Sequence, residues 1–151
     1  MQTATFEPRS FLHRTERGEL RLSVPAPTVF LFEYHGYTDD GFMQFVEDVW
    51  NDQFGETDLP VQVFADTAGQ TGYTTGFRTG MMKWTKKMVG QTNEYVLLVK
   101  SRWVAMGIAM VRSTVGLPSW HVEVSTKREV FQAKLDSAVR RSFERSRTPG
   151  S

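Results

Sequence analysis

The sequence predicts an α/β protein with a single mixed, mostly parallel sheet of five strands and four helices, in the order β-β-α-β-α-β-α-β-α. Short apolar segments with the two-residue period of a strand alternate with longer segments of helical period. Strands that alternate with helices in this way favour parallel pairing. The 151 residues are 40% hydrophobic and include 11 Phe, 4 Trp and 4 Tyr, which is enough apolar area for one core.

Two strands are predicted at the start of the domain, over residues 20–24 and 29–35. In the first, Leu20, Leu22 and Val24 alternate with polar residues, and the second is almost continuously apolar. Two prolines separate them and interrupt the ladder, because proline has no N–H to donate. We therefore expect an antiparallel hairpin. Residues 1–18 are predicted to form a partly ordered arm.

An amphipathic helix is predicted after the capping pair Thr38-Asp39, ending at Gly55. Its apolar residues have helical spacing: Phe42, Phe45, Val46, Val49 and Trp50. A short apolar strand follows over 61–66. A loop rich in Gly and Thr is then expected over 67–75, before a second helix that ends at Gly90 and has Phe77, Met81, Trp84 and Met88 on its apolar face.

The last four elements continue the alternation. A strand over 95–99 lacks polar residues, as expected for one covered on both faces. A helix over 103–115 is followed by Gly and Pro, and a strand over 120–124 alternates. The final helix begins with the capping-box spacing of Thr126 and Glu129 and continues through residue 139. The domain is expected to span residues 19–145, with a flexible tail over 146–151.

This order of elements, from the hairpin over 19–35 to the strand that ends at Asp66, resembles the STAS-type fold. More narrowly it resembles SpoIIAA-like (STAS/SEC14-type) bacterial proteins, and the likeness extends over roughly residues 19–143. Further similar segments are 72–78, where such proteins often carry a polar loop leading into a helix with an Arg, 103–108 and 124–135. The resemblance rests on element order and apolar pattern more than on a sharp motif.

One local match within that resemblance concerns a regulatory switch. Anti-sigma-factor antagonists of the STAS family carry Asp-Ser-Ser/Thr-Gly between the third strand and the second helix, and the first Ser is phosphorylated. Here the matching residues read Asp66-Thr67-Ala68-Gly69, so the resemblance implies that Thr67 occupies the switch position, with Thr replacing Ser and Ala replacing the next residue. A phosphate there would add roughly −2 charge to a binding surface. An ordinary Asp/Thr turn is the structural alternative.

The resemblance and the charge pattern together predict a non-enzymatic regulatory module that binds another protein. The predicted partner-binding residues lie on the loop and the following helix: Asp66, Gly69, Tyr73, Thr74, Arg78, Lys83 and Lys87. That second helix is basic, whereas residues 39–58 carry seven acids and no Lys or Arg. Such opposed charges steer partners or promote self-association, so a homodimer remains open. Simple solvated helix faces are the alternative.

A small-ligand or lipid carrier is the second hypothesis. Its pocket would be lined by methionine and tryptophan side chains, which are adaptable and apolar. The candidates are Met81, Met82, Met88, Met106, Met110, Trp84 and Trp103. At helical spacing, however, such residues more often fill a core.

Catalysis and cofactor binding find little support in the sequence. The chain has no cysteine, no Gly-x-Ser-x-Gly motif and no ligand spacing among its three histidines. An active site assembled from Asp66, His35 and His121 is a distant third hypothesis. The run of Gly69, Gly72 and Gly76 lacks the Gly-Lys-Ser/Thr that ends a phosphate-binding loop, so we expect no cofactor and no metal.

Charge and hydropathy restrict the partners and the location. The formal net charge is +1, which does not indicate a nucleic-acid binder. No apolar run approaches the roughly 20 residues of a membrane span, and the first residues lack the apolar core of a signal peptide. A cytoplasmic location is expected.

Overall fold

The computed structural model describes residues 6–100 and 122–146. Within these ranges the chain is an α/β fold with one mixed six-stranded sheet. The strands are β1 Arg9–Arg14, β2 Gly18–Ala26, β3 Val29–Thr38, β4 Val61–Tyr73, β5 Thr92–Leu98 and β6 Val122–Ser125. The helices are α1 Gly41–Phe54, α2 Thr75–Met88 and α3 Arg128–Ser146, and a 3-10 turn at Val89–Gln91 follows α2.

The strands lie side by side in chain order. β1, β2 and β3 pair antiparallel, whereas β3, β4, β5 and β6 pair parallel. The predicted hairpin and the mostly parallel sheet are therefore confirmed, but the described residues form six strands and three helices rather than five and four. The third predicted helix, over 103–115, lies outside the described residues, and the fourth corresponds to α3.

The additional strand is β1, in a segment that the sequence predicted as a partly ordered arm. Phe11 and His13 are half-buried and Leu12 is exposed, so the segment has the alternation of a strand with one covered face. The rings of Phe42 and Phe45 pack against His13, with centroids 4.7 and 5.3 Å away. Flanking charged residues conceal this alternation in the sequence.

The hairpin between β2 and β3 contains a close backbone contact that requires glycine. Gly36, which the sequence suggested as the end of the strand, lies within β3 at φ +74°. A Cβ on Gly36 would lie 2.5 Å from the carbonyl oxygen of Arg17, and one on Gly18 would lie 2.3 Å from that of Tyr37. The strand continues beyond Gly36 because glycine adopts this conformation without steric cost.

Helices α1 and α2 cover one face of the sheet. The centre of this core is aromatic: the ring of Phe30 packs against Phe32, Trp50 and Phe54 at centroid distances of 4.8, 5.9 and 5.2 Å. Trp84 of α2 extends the cluster, with its ring 5.4 Å from that of Trp50. These contacts fix the position of α2 on the sheet.

Helix α3 covers the other face, where the alternate residues of each strand point. Phe64 packs edge-on against Phe131 with ring centroids 5.8 Å apart. The adjacent residue of the strand, Val63, belongs to the core on the α1–α2 side. The helix runs along β4 from Asp66, in the middle of the strand, to the amino end, because Arg128 contacts Asp66 and Arg145 contacts Gln62.

Two buried tyrosines beneath α2 should make stability depend on alkaline pH. Burial raises the pKa of Tyr95 to about 12, although a hydrogen bond with Thr85 opposes part of the shift. Burial, followed by the proximity of Tyr95, also raises the pKa of Tyr34. In the unfolded chain both titrate near pH 10. Above that pH the unfolded chain releases protons that the folded chain keeps, so the free energy of unfolding falls as pH rises towards the folded-state pKa.

Urea unfolding between about pH 9 and about pH 11 measures this dependence, with a limiting slope near 1.4 kcal/mol per pH unit for each tyrosine. The variant Tyr95→Phe is expected to show a shallower loss of stability than the wild type. Equal slopes for the two proteins would contradict the assigned burial.

Candidate functional site

The residues that the sequence singled out lie along the second half of β4 and on α2. The predicted loop over 67–75 is wrong, because β4 continues as a strand to Tyr73. Beyond Asp66, which pairs with the last residue of β5, the strand continues alongside β3 alone, with His35 opposite Gly69 and Thr38 opposite Tyr73. Composition pointed to a loop, but the long β3 supplies the pairing that makes this segment a strand.

The glycines of this segment accommodate side chains of β3 rather than a phosphate. A Cβ on Gly69 would lie 2.7 Å from Nδ1 of His35, and one on Gly72 would lie 3.1 Å from the ring of Tyr37. Both glycines are therefore needed for close packing between two paired strands. The predicted flexible Gly-rich loop is replaced by a fixed strand extension.

Asp66 connects the end of the sheet to the start of α3. Its Oδ2 accepts a hydrogen bond from Nη1 of Arg128 at 2.8 Å, and its Oδ1 accepts one from the backbone N–H of Ala68 at 3.0 Å. The carboxyl side chain is only 15% exposed. The hydrogen bond and the charge of Asp66 raise the pKa of Arg128. Asp66 therefore acts as a structural residue at the edge of the candidate surface.

Thr67 is half-buried, and its hydroxyl donates a hydrogen bond to the carbonyl oxygen of Leu98 at 2.8 Å. In the switch motif of the resembling family this hydroxyl lies between a strand and the start of a helix. Here β4 continues to Tyr73 and α2 begins at Thr75, so Thr67 is remote from the free N–H groups of that helix. Thr67 instead ties β4 to the end of β5, so a phosphate on it would receive no stabilisation from the dipole of α2.

Thr74 joins the starts of α1 and α2. Its hydroxyl oxygen accepts a hydrogen bond from the backbone N–H of Phe77 at 3.1 Å, and the hydroxyl donates to a carboxylate oxygen of Asp40. Its own N–H donates to the carbonyl oxygen of Thr38 at 3.0 Å. Thr74 thus caps α2, and like Asp66 it holds the candidate surface in place.

The remaining predicted residues are available to a partner. Tyr73 is 49% exposed, and Arg78, Lys83 and Lys87 of α2 are exposed. None of the ion pairs within the described parts of the chain involves these three cations. We call Tyr73, Arg78, Lys83 and Lys87 the basic surface. It combines one exposed aromatic ring with three charges of one sign.

The described residues do not assemble the active site that the sequence suggested as a third hypothesis. Asp66 accepts a hydrogen bond from Arg128, and His35 is exposed with its ring next to Gly69. His121 lies outside the described residues. Residues 6–100 and 122–146 contain no group of three or more His, Asp and Glu side chains arranged to hold a metal ion.

The methionine and tryptophan candidates of the carrier hypothesis are largely core residues. Trp84 and Met88 are buried, and Met81 and Met82 are half-buried on α2. The candidates Trp103, Met106 and Met110 lie outside the described residues. A cavity does lie between the sheet and α3, but its lining contains no Met or Trp; it consists of Gln62, Asn93, Glu94, Arg141, Glu144 and Arg145.

Sequence reasoning missed Arg128, whose guanidinium donates a hydrogen bond to Asp66. A signal was present, since a cation in the first turn of a helix opposes the helix dipole and calls for a nearby acid. Its partner is 62 residues away in the chain, so the sequence did not identify it.

The fold is similar to that of a solved structure. An uncharacterised protein of the DUF3478 family with a SpoIIAA-like fold, from Shewanella loihica PV-4, matches with a TM-score of 0.59 at 7% identity. The match covers 89% of this chain and 98% of that protein. No family model and no curated protein matches the sequence. The chain therefore has a SpoIIAA-like fold of the STAS type, as the order of its elements indicated.

Within the described residues, no helix is both long enough and apolar enough to cross a membrane.

Proposed function

We propose that this chain is a non-enzymatic regulatory module that binds another protein through the basic surface. The observation that carries the proposal is that α2, which follows the exposed Tyr73, carries the exposed cations Arg78, Lys83 and Lys87 and no acid. The SpoIIAA-like fold supports the same class of function by analogy.

The basic surface is rigid, which favours specific binding. The opposite side of α2 packs into the core through Phe77, Trp84 and Met88, all of them buried. Thr74 fixes the start of the helix, and β3 fixes the strand that carries Tyr73. The backbone of the basic surface is therefore already ordered before a partner binds. Binding then costs little conformational entropy of the backbone.

The chemistry of the basic surface points to an acidic partner. Three cations on one helix attract a surface of opposite charge and accelerate its approach. Tyr73 adds an aromatic side chain of the kind enriched at protein interfaces. The same cations, Arg78, Lys83 and Lys87, repel a basic competitor.

Regulation through Thr67 is the finer part of the proposal, and it rests on the resemblance to anti-sigma-factor antagonists. Phosphorylation would replace the donated hydrogen bond to Leu98 with repulsion between phosphate and carbonyl oxygens. The end of β5 would then separate from β4, the strand that ends at Tyr73. The added negative charge would also oppose an acidic partner.

Charge reversal of the basic surface tests the proposal. Partners captured from the source cells by the wild type would be identified, purified and titrated with the triple variant Arg78→Glu, Lys83→Glu, Lys87→Glu. We expect the affinity to fall at least about tenfold and the wild-type interaction to weaken with salt. The matched control is Arg140→Glu, an exposed cation on α3. Equal affinity for the triple variant and the wild type would overturn the proposal.

Substitutions at Thr67 test its regulatory part. Thr67→Asp removes the hydrogen bond to Leu98, so we expect it to lose the partner and to cost about 1 to 2 kcal/mol of stability in urea unfolding. Thr67→Ser keeps the donor and should retain both properties. If Thr67→Asp binds the partner as tightly as Thr67→Ser, the residue is purely structural.

A further inference from the structure

A cavity lies beneath the end of α3. It lies at the amino ends of β4 and β5, on the face of the sheet opposite to α2, and has a volume of about 330 Å³. Its lining is polar and charged: Gln62, Asn93, Glu94, Arg141, Glu144 and Arg145. That volume is at the lower end of the range for ligand pockets.

Arg145 is held in this cavity by neutral groups. Its Nη2 donates to Oε1 of the buried Gln62 at 2.7 Å and to Oγ1 of the buried Thr28 at 3.0 Å. Its Nε is buried without a hydrogen-bond partner, and among the described carboxylates none forms an ion pair with it. A fixed, partly buried guanidinium that forms no ion pair with the described carboxylates favours an anionic group beside it.

Two further donors face the same space. Oδ1 of Asn93 accepts a hydrogen bond from Nε2 of Gln62 at 2.8 Å, which leaves the amide N–H groups of Asn93 for a ligand. Arg141 pairs with Glu94 only at 3.3 Å and is 54% exposed, so this ion pair is weak and its guanidinium is able to turn towards a ligand. Together with Arg145, these groups suit the planar oxygens of a carboxylate.

The acids of the lining define the other end of the ligand. Glu94 and Glu144 balance the two arginines, so the formal charge of the lining is zero. With a phosphate or a polycarboxylate bound, the net charge of the cavity and its ligand would be strongly negative. With a zwitterion bound, that net charge stays at zero. We propose that the cavity binds a small zwitterion of the amino-acid class, with its carboxylate at Arg141, Arg145 and Asn93 and its ammonium group at Glu94.

Ligand-observed NMR with the full chain and each of the twenty proteinogenic L-amino acids tests the proposal. We expect at least one to bind with a Kd below about 1 mM. Its N-acetyl derivative, which lacks the ammonium charge, and its methyl ester, which lacks the carboxylate, should bind at least about tenfold more weakly. If no amino acid binds, or if the derivatives bind as well as the parent, the proposal is overturned.

Two variants then place the ligand in the cavity. Arg141→Gln and Glu94→Gln should each weaken binding by about tenfold, because each removes one charged contact. Arg145 is not substituted, because its hydrogen bonds to Thr28 and Gln62 hold α3 on the sheet and its loss would alter the fold. Arg140→Gln, one residue before Arg141 and outside the lining, should bind as the wild type does. Unchanged binding in both cavity variants would contradict the assignment.

Discussion

Replacing Phe30 with alanine is expected to lower the free energy of unfolding by about 3 to 5 kcal/mol. Phe30 has no exposed surface, and its ring contacts Phe32, Trp50 and Phe54. Alanine would leave a cavity between the central strand β3 and α1. The surrounding aromatic side chains are too rigid to move far enough to fill it. The loss therefore combines the transfer free energy of the ring with the cost of the cavity.

Urea unfolding followed by circular dichroism measures this loss. The control is Leu59→Ala, because Leu59 is 44% exposed and its truncation should change stability by no more than about 0.5 kcal/mol. A loss below about 1 kcal/mol for Phe30→Ala would mean that α1 does not pack on β3 as described.

The second large effect is expected from Gln62→Leu. Gln62 is 2% exposed, and its Oε1 accepts hydrogen bonds from Thr28 and Arg145 while its Nε2 donates to Asn93. Leucine matches its size but removes all of these bonds. Buried donors, one of them a guanidinium, lose their acceptor, and we expect a cost of about 3 kcal/mol or more.

The matched control for this substitution is Gln132→Leu. Gln132 is an exposed residue of α3, and its side chain donates a hydrogen bond to the exposed Asp136. Its replacement should change the free energy of unfolding by no more than about 0.5 kcal/mol. Similar costs for the two variants would show that the polar network around Gln62 does not hold α3 on the sheet.

Elements with a strong local pattern were predictable from the sequence. The apolar alternation of Leu20, Leu22 and Val24 predicted β2, and the helical spacing from Phe42 to Trp50 predicted α1. The two prolines after Val24 correctly indicated the turn of the hairpin. In these segments local preference and burial favour the same structure.

Elements that depend on a distant partner were not predictable. The Gly- and Thr-rich end of β4 is a strand only because β3 extends to Thr38 and places His35 and Tyr37 against Gly69 and Gly72. The bond from Arg128 to Asp66 and the one from the backbone N–H of Thr28 to Ser142 join residues 62 and 114 positions apart. No periodicity records such contacts. The exposed cations of α2 were predictable, since exposure follows from helical spacing.

Site-specific photo-crosslinking in the source cells tests the central claim, that the basic surface binds an acidic protein. A photoreactive aromatic amino acid would replace Tyr73, or as a control Val130 of α3, which is 38% exposed. We expect the probe at position 73 to form an adduct with one acidic protein, and the adduct to disappear when Arg78, Lys83 and Lys87 are reversed to Glu. No adduct at position 73, or the same adducts from both positions, would contradict the claim.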